Sequence, residues 1–135
     1  MMIKPYLMFN RKCEEAFTLY RKAFDGELMA MQKYSDMPPH PEFPVAESDK
    51  NLVMHAQLKL TENGYIMGSD SSSDIKQGQN VCISVELNSE EAAIKAWNML
   101  KEDGNVHMDL QPTFFSKLHG SVKDTYGITW MFTVN

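Results

Sequence analysis

Residues 13–26 read CEEAFTLYRKAFDG, and this stretch, with its partial echo at residues 89–104, SEEAAIKAWNMLKEDG, decides the fold. In the first stretch Ala16, Phe17, Leu19, Tyr20, Ala23 and Phe24 recur at the spacing of one helical face, which predicts a helix from Cys13 to Phe24. Asn10 is placed to cap it, Glu14 and Glu15 suit its first turn, and Gly26 suits its stop. The second stretch predicts a helix from Ser89 to about Glu102, with Ala92, Ala93, Ala96, Trp97 and Leu100 as its apolar stripe. Asn88 and Glu91 have capping-box spacing there, and Gly104 marks the end.

Working outward from the two helices, strand signals fall in the same order around each. Ile3 to Asn10 leads into the first helix, and Glu27 to Tyr34, Asn51 to Leu60 and Tyr65 to Asp70 follow it. Asn80 to Leu87 leads into the second, and Val106 to Gln111, Lys117 to Val122 and Ile128 to Val134 follow that. Local text echoes as well: Glu14-Glu15-Ala16 against Glu90-Glu91-Ala92, Met54-His55-Ala56 against Leu118-His119-Gly120, and Gly64 against Gly127. The expected class is therefore α+β: two tandem βαβββ modules, residues 1–71 and 79–135, forming a curved, open mixed sheet around a cleft within one domain spanning 1–135. Ser69 to Asp74, running on to Gly78, reads as a polar linker. Met37 to Lys50, with Pro38, Pro39, Pro41 and Pro44, cannot continue a central strand and reads as a long loop, either a lid or a dimer contact.

Composition narrows the functional classes. At 135 residues, 43% hydrophobic and 23% charged, the chain is long enough for a real core. A formal charge of -5 and the lack of any Lys/Arg cluster with interleaved aromatics argue against a nucleic-acid partner, which would require local positive charge. No apolar run approaches the roughly 18 residues of a membrane span, and Met1 to Pro5 lacks an export-signal core, so no membrane partner and a cytoplasmic location are expected. Cys13 and Cys82 lie in separate apolar segments without metal-like spacing and are expected as buried, reduced thiols.

Strand alternation sorts the side chains into two faces. Leu52, Met54, Ala56, Leu58 and Leu60 form a core set, and Val53, His55, Gln57 and Lys59 face the other way. By the same parity Asn80, Cys82, Ser84 and Glu86 oppose Val81, Ile83, Val85 and Leu87. His119 and Ser121 oppose Leu118 and Val122, while Thr129, Met131 and Thr133 oppose Ile128, Trp130, Phe132 and Val134. The second face mixes polar groups with methionines such as Met8, Met67 and Met131, as a small-molecule site requires.

Six segments, KPYLMFN, CEEAFTLYRKAFDGEL, VMHAQLKL, YIMGSD, QPTFF and VKDTYGITWMF, in this order resemble the PhnB-like branch of the vicinal oxygen chelate superfamily, which includes glyoxalase I, bleomycin-resistance proteins and extradiol dioxygenases. The resemblance covers nearly the whole chain. Some members carry a 3-demethylubiquinone methyltransferase-like label, but no Gly-rich strand-to-helix loop here would hold a methyl-donor nucleotide. Metal-using members place a His near the start of the first strand of each half and a carboxylate in the last. Those positions fall here on Lys4 or Pro5, Asn80, Gly68 and Met131, with Asp70 within a register error, so the usual metal centre and any other cofactor are expected to be absent.

The resemblance and the face parity together nominate ligand-binding residues: His55, Gln57, Asn80 and Glu86 for polar contacts, Tyr6, Met8 and Met131 as apolar walls, and His119 at the place equivalent to His55. A His55 that merely hydrogen-bonds across the sheet is the plain alternative. The leading expectation is an unidentified small organic molecule bound in the cleft, with any reaction unassigned. A second is a divalent-metal lyase or dioxygenase relative using a displaced set drawn from His55, His119, Asp70, Glu86 and His107, and His107 with Asp109 forms an H-x-D pair on one strand. A third is a homodimer that acts as an interaction module without ligand, since each half has an exposed sheet edge.

Overall fold

The structure, a computed structural model, describes residues 1–135. The elements follow one another as β1 (Tyr6–Asn10), α1 (Cys13–Phe24), β2 (Glu27–Lys33), β3 (Val53–Thr61), β4 (Gly64–Ser71), β5 (Ile83–Leu87), α2 (Glu90–Leu100), β6 (Asn105–Gln111), β7 (Leu118–Lys123) and β8 (Thr129–Val134). Two compact units result, residues 1–21 with 25–75, and residues 22–24 with 76–135. Each contains a four-stranded sheet of the same topology, β1-β4-β3-β2 in one and β5-β8-β7-β6 in the other. The first and last strands of each βαβββ module pair in parallel and the other pairs are antiparallel, so both sheets are mixed.

In the first unit the core lies between α1 and the sheet. Phe9, Ala16, Phe17, Tyr20, Ala56, Leu58 and Ile66 are buried, and the Phe9, Phe17 and Tyr20 rings sit within 6.0–6.4 Å of one another. α1 reaches the sheet closely because Gly68 on β4 has no side chain. A Cβ there would stand 2.9 Å from the Phe17 ring and from the Leu7 carbonyl oxygen. The second unit solves the same problem one strand further over. Gly120 on β7 admits Trp97 of α2, whose ring lies edge-on to Phe132 at 5.5 Å, and Phe24 packs 5.4 Å from Trp130.

The strands are placed as their alternation predicts, and β8 shows the pattern most clearly: Trp130, Phe132 and Val134 are buried while Thr129, Met131 and Thr133 are partly open. Several local expectations are corrected. Asn10 does not cap α1. Its amide instead donates to Asp74, and the N–H of Cys13 is satisfied by Asp70 Oδ1 at 2.8 Å, a carboxylate 57 residues away. α2 is capped by Ser89, whose hydroxyl accepts from the Ala92 N–H at 3.1 Å, rather than by an Asn88 capping box. The Glu-Glu-Ala echo is out of step by one helical turn, since the burial pattern of residues 11–20 recurs at 91–100 and matches Phe17 with Trp97. Both leading strands start three residues later than expected, at Tyr6 and Ile83, which leaves Val81 78% exposed instead of in the core. Val53 is wholly buried despite its parity, because the irregular pairing of β2 and β3 at Gln32/Lys33 turns it inward and its N–H bonds Asp70 Oδ2.

The two Asp-Gly pairs end the helices in one way. Asp25 and Asp103 take left-handed backbone angles, with φ of 52° and 56°, and the glycine after each lies against the backbone of a neighbouring strand. A Cβ on Gly26 would stand 2.6 Å from the Lys59 carbonyl oxygen, and one on Gly104 would stand 2.5 Å from that of Lys123. Neither strand can move without loosening its ladder. Gly26→Ala and Gly104→Ala are each expected to lower stability by about 1–3 kcal/mol through overpacking. A fall in the urea unfolding midpoint at unchanged m-value checks this.

Candidate functional site

With one face of each sheet turned to its helix, the opposite face carries the candidate residues. In the first unit Tyr6, Met67, Gln57 and Ala30 lie in one cross-strand row. In the next, Met8 pairs with Ser69 and His55 with Gln32. The Tyr6 and His55 rings are 6.1 Å apart, and the Ser69 hydroxyl donates to the Met8 sulfur at 3.4 Å. His55 and Gln57 are half-buried and hydrogen-bond to no other side chain, so His55 is not spent on a cross-sheet bond. Tyr6, Met8, His55 and Gln57 thus share one face, with apolar and polar groups side by side.

In the second unit Glu86, Thr133 and His119 form one row across β5, β8 and β7, and Ser84, Met131 and Ser121 form the next. His119 Nδ1 is 3.1 Å from the Thr133 hydroxyl and its ring stands edge-on to Phe115 at 5.1 Å, so His119 is positioned by two neighbours. Glu86 is exposed. Asn80 is not on a strand but on the segment entering β5, where it borders a cavity of about 520 Å³ shared with Cys82, Asn105, His107, Ser121, Lys123 and Thr129. That size lies within the usual range for small-molecule pockets, roughly 300–1,000 Å³.

Lys123 and Asn105 were not among the sequence-nominated residues. Each lies one residue beyond the expected bounds of its strand. Extending the alternation of His119 and Ser121 by one step would have found Lys123. The cavity itself has no local signature, because its walls come from three strands and the segment before β5.

Cys82 is exposed, contrary to the expectation of two buried thiols, because the strand it was assigned to begins only at Ile83. Cys13 is fully buried. Loss of solvation pushes its thiol well above the ordinary range, and the charges of Asp70 and Glu14 push the same way.

A chelated metal does not fit these residues. Gly68, Met131 and Asn80 offer no suitable donor, and Asp70 is buried with one oxygen on the Cys13 N–H and the other on the Val53 N–H at 2.9 Å. No group of three or more His, Cys, Asp or Glu side chains is arranged to hold a metal ion, and His107 faces the cavity without Asp109. A methyl-donor nucleotide fits no better: β1 joins α1 through Arg11-Lys12 and β5 joins α2 through Asn88-Ser89, with no glycine-rich turn beneath a helix N-terminus.

Repeated βαβββ modules, each with a helix-covered face and a mixed open face, define a PhnB-like protein of the vicinal oxygen chelate class. Within that class the chain belongs to the family described as 3-demethylubiquinone-9 3-methyltransferase, whose profile matches residues 1–133. It is similar to protein PA1353 from Pseudomonas aeruginosa, at 32% identity over 100% of this chain and 98% of that one, with a TM-score of 0.87. The PhnB protein from Bacillus cereus is 28% identical over the full length of both chains, with a TM-score of 0.80. Protein YjdN of Escherichia coli (strain K12) is 21% identical over 99% of this chain and 95% of its own.

Two measurements check the site geometry. Titration of the folded protein with a maleimide at neutral pH is expected to modify Cys82 quickly and Cys13 only on unfolding, read by intact mass. Asp70→Asn is expected to cost about 1–3 kcal/mol, since an amide oxygen can replace only one of the two carboxylate acceptors, and urea denaturation gives the value.

Proposed function

We propose that this chain binds a small organic molecule on the mixed faces of its sheets. In the first unit His55 and Gln57 supply polar contacts and Tyr6 and Met8 adaptable apolar ones; in the second Asn80 and Glu86 supply polar contacts and Met131 an apolar one, and His119 is held in place by Thr133. The observation that carries this reading is the cavity of about 520 Å³ in the second unit, bordered by polar side chains that make no hydrogen bond or ion pair within the chain. Polar groups placed around a hollow but left without internal partners suit exchange of water for a ligand. Met8, Met67 and Met131 add polarizable surface that adjusts to ligand shape.

The description of the family as a methyltransferase is not carried over, because the sequence has no place for the methyl donor. Nor is the metal-dependent reading, since its donors do not converge. No helix is long and apolar enough to cross a membrane. A cytoplasmic location is part of the same proposal. We further propose a homodimer. Each sheet ends in unpaired strands, and Leu28 and Met29 on β2 are 42% and 50% exposed, apolar surface that a second copy would cover. Light scattering tests the dimer, and a monomer at micromolar concentration would remove it.

Ligand binding is tested by a thermal-shift screen against a broad panel of metabolites. A ligand at ten times its Kd stabilises the folded state by about 1.4 kcal/mol, a rise of roughly 3–6 °C for a chain of this size. The rise is expected to shrink in Asn80→Ala for a ligand of the second unit's cavity, and in His55→Ala or Gln57→Ala for one held on the first unit's sheet. A panel without any shift would count against the reading.

A further inference from the structure

The cavity in the second unit differs in charge from the chain around it. The whole sequence carries 18 acidic and 13 basic residues, yet no carboxylate borders the cavity and one ammonium, Lys123, does. Lys123 sits at the centre of a cross-strand row, paired with Asn105 on β6 and with Thr129 on β8. Ser121 lies two residues back on the same face, and Asn80 comes in from the segment before β5. Lys123 takes part in no salt bridge, and its side chain is half-buried.

The adjacent carboxylate, Asp124, is turned away and fully engaged. One of its oxygens accepts from the Tyr126 and Ile128 N–H groups at 2.8 and 3.1 Å, and the other accepts from the Trp130 indole at 2.8 Å. The cavity is thus lined by neutral amides and hydroxyls, each able to donate to a ligand, and by the His107 imidazole, around an uncompensated positive charge. A partly desolvated ammonium with neutral donors beside it favours an oxyanion, through charge-assisted hydrogen bonds that are shorter and stronger than neutral ones.

We propose that this cavity takes a small molecule through a carboxylate or phosphate group seated on Lys123, with Ser121, Thr129, Asn80 and Asn105 completing its hydrogen bonds. This rests on the small-molecule reading above and gives it a chemical class. Asn105 and Thr129 flank Lys123 in the ladder, so the ammonium emerges between two neutral polar groups. Cys82, on the rim of the same cavity and exposed, reports on its occupancy.

The test uses the intact protein. Alkylation of Cys82 by neutral N-ethylmaleimide is followed by mass spectrometry in inorganic phosphate or in malonate, against sodium chloride at matched ionic strength. Either anion is expected to slow the reaction several-fold in the wild type, with little effect in Lys123→Met and retained protection in Lys123→Arg. Whichever of the two anions protects at the lower concentration names the group. The ratio of the iodoacetate to the iodoacetamide rate reads the local charge without a ligand, and is expected to fall about three-fold in Lys123→Met. Circular dichroism and the unfolding midpoint show that both variants are folded. If neither anion protects while a neutral compound from the thermal screen does, the oxyanion assignment is wrong and small-molecule binding stands. If nothing protects and nothing shifts the melting temperature, both fall. Protection that persists undiminished in Lys123→Met removes the role given to that residue.

Discussion

One helix can cover only one face of a four-stranded sheet, and the arrangement of this chain depends on that limit. A helix is roughly 10 Å across with its side chains, and four strands about 4.8 Å apart are wider, so the helix must sit close and central to seal the sheet. Close approach is obtained by deleting a side chain where the helix is nearest, at Gly68 under Phe17 and at Gly120 under Trp97. Once that contact is made, everything apolar on the strands has a destination on one side. The other side is left to a mixture of polar and apolar side chains that no helix of their own unit covers.

Asp70 and Asp124 show why polar groups on this scaffold divide into two kinds. Both carboxylates are buried, and each gathers backbone or indole N–H groups on its two oxygens. They tie segments together: Asp70 joins the start of α1 to β3 and β4, and Asp124 closes the turn between β7 and β8. The groups facing the cavity are the opposite kind, open and without internal bonds. A carboxylate that supplies structural acceptors is not free for chemistry, so Asp70 cannot stand in for the donor that Gly68 does not offer.

Much of the fold was legible in the sequence. The bounds of α1 match its apolar periodicity, and strict alternation in Ile128 to Val134 places Trp130 and Phe132 inside and Met131 outside, as found. What could not be read locally came from distant partners. The helix N–H at Cys13 is met by Asp70 rather than by a nearby cap, and Val53 turns inward at an irregularity in the β2–β3 ladder. Face parity grouped His55 with Gln57 and Thr129 with Met131 and Thr133, as the ladders have them, because parity depends only on strand geometry. It could not show that Asn105, Lys123 and Thr129 fall in one row, which depends on the register between three strands.

The two halves share a strand order but not a mould. In the first, the relief for the helix is cut into the strand beside β1; in the second, it is cut one strand further across, where β7 rather than β8 gives way and the aromatic Phe132 fills the place that Gly68 leaves empty. Their helices have therefore ceased to be spare parts for one another. A chimera that transplanted α2 onto the first sheet would bring the Trp97 indole over the wrong strand, and kinship of outline would not rescue it.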